Sequence, residues 1–165
     1  MSKVGEEITA HFPEINTHRI DEKRVEVNTD KGYLLSLLNF LKDGGYDHLG
    51  LISCVDRMED GVLQLVYVLS RYAQDESVPG PDPTLVVKIP LSREEPTIVS
   101  SMGVFINAEP YERELYEMFG IDFTGHPRLD PLFLERDYDI PPLRKDFDTR
   151  RYVTEEFETI PPVED

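Results

Sequence analysis

The chain of 165 residues has one cysteine, no tryptophan and no long apolar run. A lone cysteine, Cys54, excludes an intrachain disulfide and a thiolate-held iron–sulfur cluster. No segment approaches the roughly 20 apolar residues of a membrane span. The acidic start, Met1 to Glu7, lacks the apolar centre of a secretory signal. These absences imply a soluble, non-exported protein. Basic residues are scarce too: 17 Lys and Arg stand against 33 Asp and Glu, a net charge of −16. That balance opposes nucleic-acid binding and charge-driven docking to anionic lipid. It fits either a plainly solvated surface or an interface with a basic partner. Nucleotide-binding and hydrolase motifs are missing: there is no G-x-G-x-x-G, Gly-Lys-Ser/Thr phosphate loop, H-E-x-x-H or G-x-S-x-G. His11, His18, His48 and His126 are scattered and suggest no metal centre.

What is present reads as one α+β domain over residues 1–121, a small antiparallel or mixed sheet covered by helices, followed by a long irregular C-terminal tail over 122–165. Val4, Ile8 and Phe12 can line a helix that ends before Pro13. Arg24 to Asn28 alternates like a strand. Asp30 is placed to cap a helix carrying Tyr33, Leu34, Leu37, Leu38 and Leu41, stopped by Gly44-Gly45. His48–Asp56 and Val62–Tyr72 read as strands joined at Asp60-Gly61. Both carry apolar residues on both faces, which predicts a sheet covered on both sides. Ala73–Pro83 reads as a loop and Thr84–Pro90 as another strand. Ser92-Arg93-Glu94-Glu95 resembles a capping box, but Pro96 bars helical angles at the residue before it, so a short helix is expected only after Ser100.

The clearest helix is Glu109–Phe119. Pro110 suits its first turn, Glu109 and Arg113 are one turn apart, and Gly120 can terminate it with Ile121 folded back on Leu115 or Tyr116. Glu109, Glu112, Glu114 and Glu117 crowd this helix. Glu112 and Glu114 lie about 200° apart, so they do not form a facing acid–base pair. An ion-pair network that fixes the helix in an interface is the better reading. Gly125-His126-Pro127 reads as a turn.

The tail holds six prolines, which break helix and central strand, yet it is rich in large apolar residues, including Phe123, Phe133, Tyr138, Ile140, Leu143 and Phe157. Disordered segments are poor in such groups. The expectation is that the tail lies extended along another subunit. Arg144-Lys145-Asp146 is then a basic spot suited to clamp a carboxylate on a partner.

The run Glu112-Arg113-Glu114-Leu115-Tyr116-Glu117-Met118-Phe119-Gly120-Ile121, then Gly125-His126-Pro127, then Leu143-Arg144-Lys145-Asp146-Phe147, resembles the signature of the thirty-kilodalton subunit family of respiratory complex I. That family also serves membrane-bound [NiFe] hydrogenases and related complexes. The resemblance implies a cofactor-free subunit on the cytoplasmic face of a membrane, in the peripheral arm of a hetero-oligomeric complex. Its implied partners are a large hydrogenase-like catalytic subunit and small iron–sulfur subunits, which hold the iron–sulfur clusters and the quinone or nickel–iron site. Glu112, Arg113, Glu114, Tyr116, Phe119, Gly120, Gly125, His126 and Pro127 fall in the structural signature. Leu143, Arg144, Lys145 and Asp146 fall in the tail clamp. None is implied to be catalytic. Readings of another class are a soluble enzyme using the Glu112–Glu117 carboxylates, and a free acidic adaptor.

Overall fold

Strict alternation of buried and open positions organises the centre of the computed structural model, which describes residues 3–71, 82–134 and 139–156. Helix α1 (Lys3–His11) leads into strands β1 (Asn16–Arg19) and β2 (Arg24–Asn28), then helix α2 (Leu34–Asp43). Three long strands follow: β3 (His48–Arg57), β4 (Val62–Ser70) and β5 (Thr84–Ser92). Together they form a five-stranded mixed sheet in the order β1-β2-β5-β4-β3. Only β2 and β5 run parallel; the other pairs are antiparallel. Strand β6 (Thr97–Val99), helix α3 (Glu109–Phe119) and strand β7 (Asp122–Thr124) come next, and helix α4 (Thr149–Glu156) lies near the end.

One sheet face is buried. Val27, Val87, Tyr67 and Ile52 form one cross-strand row, and Ile89, Leu65 and Cys54 the next. Ile8 of α1, Leu34, Leu37, Leu38 and Leu41 of α2, and Leu115 and Phe119 of α3 join them in a single core. Each such side chain, fully buried, contributes roughly 1.5–3 kcal/mol. Cys54 belongs to this core, and burial pushes its thiol up to about 12. The second face differs from expectation. Leu51 and Val55 are 39% and 50% exposed, and their neighbours Val66, Val68 and Val86 are only half-buried. The two-sided apolar pattern is therefore covered on one side by this chain's own helices.

Local chemistry explains the turns. After α2, the amides of Gly44, Gly45 and Tyr46 return to the carbonyls of Phe40, Lys42 and Leu41, and Gly45 takes φ 93°, which suits glycine. Gly61 closes the β3–β4 hairpin at φ 66°. Asp30, expected to cap α2 through its side chain, makes no such bond; a single 3₁₀ turn over Lys31–Tyr33 intervenes and satisfies the backbone instead. The Ser92 hydroxyl accepts from the Glu94 and Glu95 amides at 3.3 and 3.4 Å, and β6 rather than a helix follows, as the proline at 96 demands. The helix expected after Ser100 is only a 3₁₀ turn, Ile106–Ala108.

Two boundaries move. Strand β1 is polar and short, so it shows no apolar period; pairing with β2 defines it. Asp122–Thr124, assigned from the sequence to the tail, pairs in parallel with β6 across α3, making a β6–α3–β7 unit. Phe123 is 1% exposed, so the domain extends at least to Thr124. Most of the Ala73–Pro83 loop lies outside the described residues, as do Tyr72, Tyr138 and Phe157.

Candidate functional site

The signature residues gather on and around α3, and the helix has three working sides. Its inner side carries Glu112, which is 0% exposed. One Glu112 carboxylate oxygen accepts from the Ser101 amide and hydroxyl, both at 2.7 Å, and the other accepts from the Ser100 hydroxyl at 2.6 Å. An ionised carboxylate needs such donors when it leaves water. Glu112 thus ties α3 to the segment after β6 through neutral donors. The ion-pair network expected of it is corrected here: serine and amide donors take that place. Ser100 and Ser101 are the members that sequence reasoning missed.

The outer side grips the tail. Arg113, whose side chain is 10% exposed, donates to the carbonyls of Asp130 at 3.1 Å and Pro131 at 2.9 Å, and pairs with Glu109 at 3.4 Å, the one-turn pair that the spacing predicts. One turn on, Glu117 accepts from the amides of Leu132, Phe133 and Leu134. A cation and an anion on one helix face therefore hold consecutive carbonyls and amides of one strand-like passage. Glu114, between them in sequence, is half-buried, and Tyr116 lies 36% exposed on the far flank.

The C-terminal end of α3 holds the second stretch of tail. Gly120 takes φ 71°, and its amide returns to the Tyr116 carbonyl at 2.8 Å. A Cβ there would meet Pro141 Cγ at 3.1 Å and Arg144 Nη2 at 3.3 Å. Arg144 Nε donates to the Phe119 carbonyl at 2.7 Å and Nη1 to the Arg93 carbonyl at 3.1 Å. The Leu143 amide donates to the Met118 carbonyl at 3.0 Å. Asp56, 4% exposed at the end of β3, accepts from Arg93 Nε at 3.0 Å, Arg93 Nη2 at 3.2 Å and the Lys145 amide at 2.8 Å. Arg93 also reaches Asp146 at 2.5 Å. The expectation that Arg144-Lys145-Asp146 clamps a partner's carboxylate is corrected: this triplet fastens the tail to its own domain, because the domain presents unmet carbonyls and a buried carboxylate there. Burial pushes the Asp56 carboxyl up, but Arg93, the Lys145 amide and the Arg144 charge outweigh that and hold it below the usual carboxylate range. Arg93 does the same for Asp146.

Gly125-His126-Pro127 forms the expected turn, with Gly125 at φ 86° and the His126 amide on the Phe123 carbonyl at 3.0 Å. His126 Nδ1 accepts from the Arg128 amide at 3.1 Å, so the proton sits on Nε2. Leu129 packs against the core. Not all of the tail is sheltered: Phe133 is 65% exposed and Leu143 54%.

Gly120→Ala is expected to cost about 1–2 kcal/mol through left-handed strain and the Pro141 and Arg144 contacts. Limited proteolysis checks it, as faster nicking within 139–147. The acid limb of stability is set by Asp56 and Asp146. Their folded carboxyls lie below the unfolded value of about 3.9, so their contribution is full above that pH and is lost as pH falls through the folded values. Thermal melting followed downward from pH 5 is expected to show this loss, and Asp56→Asn is expected to flatten it.

The geometry defines a class: an α+β domain whose signature charges are internal ties, with a proline-broken arm strapped over its last long helix. Residues 27–153 match the family of the respiratory-chain NADH dehydrogenase 30 Kd subunit, and the chain belongs to that family. It is 37% identical over 147 residues to the C-type subunit of the F(420)H(2) dehydrogenase of Methanosarcina mazei, covering 87% of this chain and 89% of that one. It is 33% identical over 149 residues to the C-type subunit of the NADH-quinone oxidoreductase of Moorella thermoacetica, covering 89% and 95%. It also matches 21% of the length of the C/D-type subunit of the Chromohalobacter salexigens NADH-quinone oxidoreductase, at 33% identity over 73% of this chain. Among solved structures, a chain of the membrane-bound sulfane sulfur reductase, an archaeal respiratory membrane complex, shares the fold with a TM-score of 0.84, 22% identity and coverage of 99% and 94%. A trypsin-resistant fragment of Nqo5 shares it at 0.62 over 77% of this chain and 97% of the fragment, at 24% identity. Among the described residues no helix is long and apolar enough to cross a membrane.

Proposed function

We propose that this chain is a non-catalytic subunit in the peripheral arm of a membrane-bound complex I-like oxidoreductase, on its cytoplasmic face, where it holds the large catalytic subunit in place. The observation that carries the reading is how the signature charges are used. Glu112, Arg113, Glu117, Asp56, Arg93 and Arg144 are each engaged in ties within the chain, while Phe133 and Leu143 of the strapped arm point their apolar bulk outward. A soluble enzyme using Glu112 and Glu117 is the poorer reading, since Glu112 has no contact with solvent and three amides occupy Glu117. The arm is thus a pre-shaped apolar surface for a neighbour rather than a reaction site. The double letter C/D in the name of the longer relative supports the choice of neighbour: a C-type region and a D-type region share one polypeptide there. Iron–sulfur clusters, and the quinone or nickel–iron site, belong to the neighbouring subunits on this reading, and electrons pass through them.

The similarity to the F(420)H(2) dehydrogenase subunit over nearly the whole chain favours a second reading of the host, a relative of complex I with a different electron donor. A tagged chain recovered from detergent-solubilised membranes tests both. The expected result is stoichiometric co-purification with a large hydrogenase-like subunit and iron–sulfur subunits, and the donor oxidised by that preparation identifies the host. Recovery of the chain alone would sink the proposal.

A further inference from the structure

Strands β3, β4 and β5 carry apolar residues on both faces, the pattern of strands covered from both sides. Helices of this chain cover one side. The other presents Leu51 and Val55 of β3, Val66 and Val68 of β4 and Val86 of β5, set side by side by the register Leu51–Val68–Val86 and left half-open. Charge on this face is balanced locally. Glu26 pairs with Lys88 at 2.6 Å, Arg57 with Asp60 at 2.7 Å and Arg24 with Asp21 at 2.7 Å. The excess of −16 therefore resides elsewhere on the chain.

We propose that this open face seats one amphipathic helix of a neighbouring subunit, apolar side down on the valines. The inference rests on the chain's place in a multisubunit complex. Size selects the occupant. Three strands at about 4.8 Å spacing make a field about 10 Å across, the width of one helix. That is far less than the roughly 800 Å² a side of a self-standing dimer. Charge selects against a second copy, because two chains of −16 repel wherever the neutral patch ends. A helix with an uncharged apolar stripe meets balanced ion pairs and valines on this face, and it completes a helix–sheet–helix sandwich in which both strand faces are dry.

The test uses the full chain in its assembled membrane complex, with a photo-crosslinking residue in place of Val66. The expected result is an adduct that maps to the apolar side of a helical segment in a different subunit. An adduct to a second copy, to this chain's own residues or to lipid overturns the inference, as does the absence of any adduct. Val66→Lys gives an independent reading. The isolated variant is expected to melt like the unsubstituted chain, since position 66 is on the open face, while its recovery in the complex falls about tenfold. Unchanged recovery overturns the inference. If the unsubstituted chain itself fails to co-purify with other subunits, the subunit reading falls with it; if it does co-purify, any failure belongs to the open face alone.

Discussion

Glu112→Ala is expected to destabilise the chain by about 3 kcal/mol, the largest loss at any signature position. The substitution removes a buried acceptor and leaves the Ser101 amide and the Ser100 and Ser101 hydroxyls without it, in a place with no solvent to replace it. For a chain of this size that corresponds to a fall in melting temperature of about 6–12 °C. Glu112→Gln separates charge from shape. Its amide oxygen can still accept from Ser101 and its NH2 can donate to Ser100 Oγ, so a loss of about 1 kcal/mol is expected. Calorimetric melting of the two variants checks both values, and equal losses would remove the hydrogen-bond account.

Asp56→Ala is expected to act further from its own position. It strips Arg93 of its buried partner and the Lys145 amide of its acceptor, while Asp146 keeps hold of Arg93. A loss of about 2–3 kcal/mol is expected from a guanidinium left mostly buried and half-paired. The sharper readout is local. Amide hydrogen exchange at Lys145 is expected to speed up about thirtyfold, while exchange in β4 follows only the global change. Arg113→Ala serves as the comparison. It frees the Asp130 and Pro131 carbonyls, so faster exchange is expected near 132–134 and not at Lys145.

The long strands and α3 are legible in the sequence because period and punctuation agree: alternation through Val62–Ser70, proline early in α3 and glycine just after it. Strands β6 and β7 are not, because three residues cannot display a period, and each forms only by pairing with a segment across α3. The cover on the sheet is overstated by the sequence, because an apolar alternation reports that a face is dry in the working assembly without saying which chain dries it. In the site, the Glu109–Arg113 pair is readable from helical spacing. The serines on Glu112 sit 11 and 12 positions away, and the arm's ties join side chains to backbone groups, which carry no residue-type signature.

The bond from Asp56 to the Lys145 amide joins positions 89 residues apart, and the second of them is made late. During synthesis the sheet and its helices can emerge and fold while the arm is still inside the ribosome. Arg93 and Asp56 then wait as a preformed pair for residues 143–146 to arrive. A nascent or truncated product lacking those residues leaves α3 unstrapped, so the closed strap reports that translation has passed residue 146.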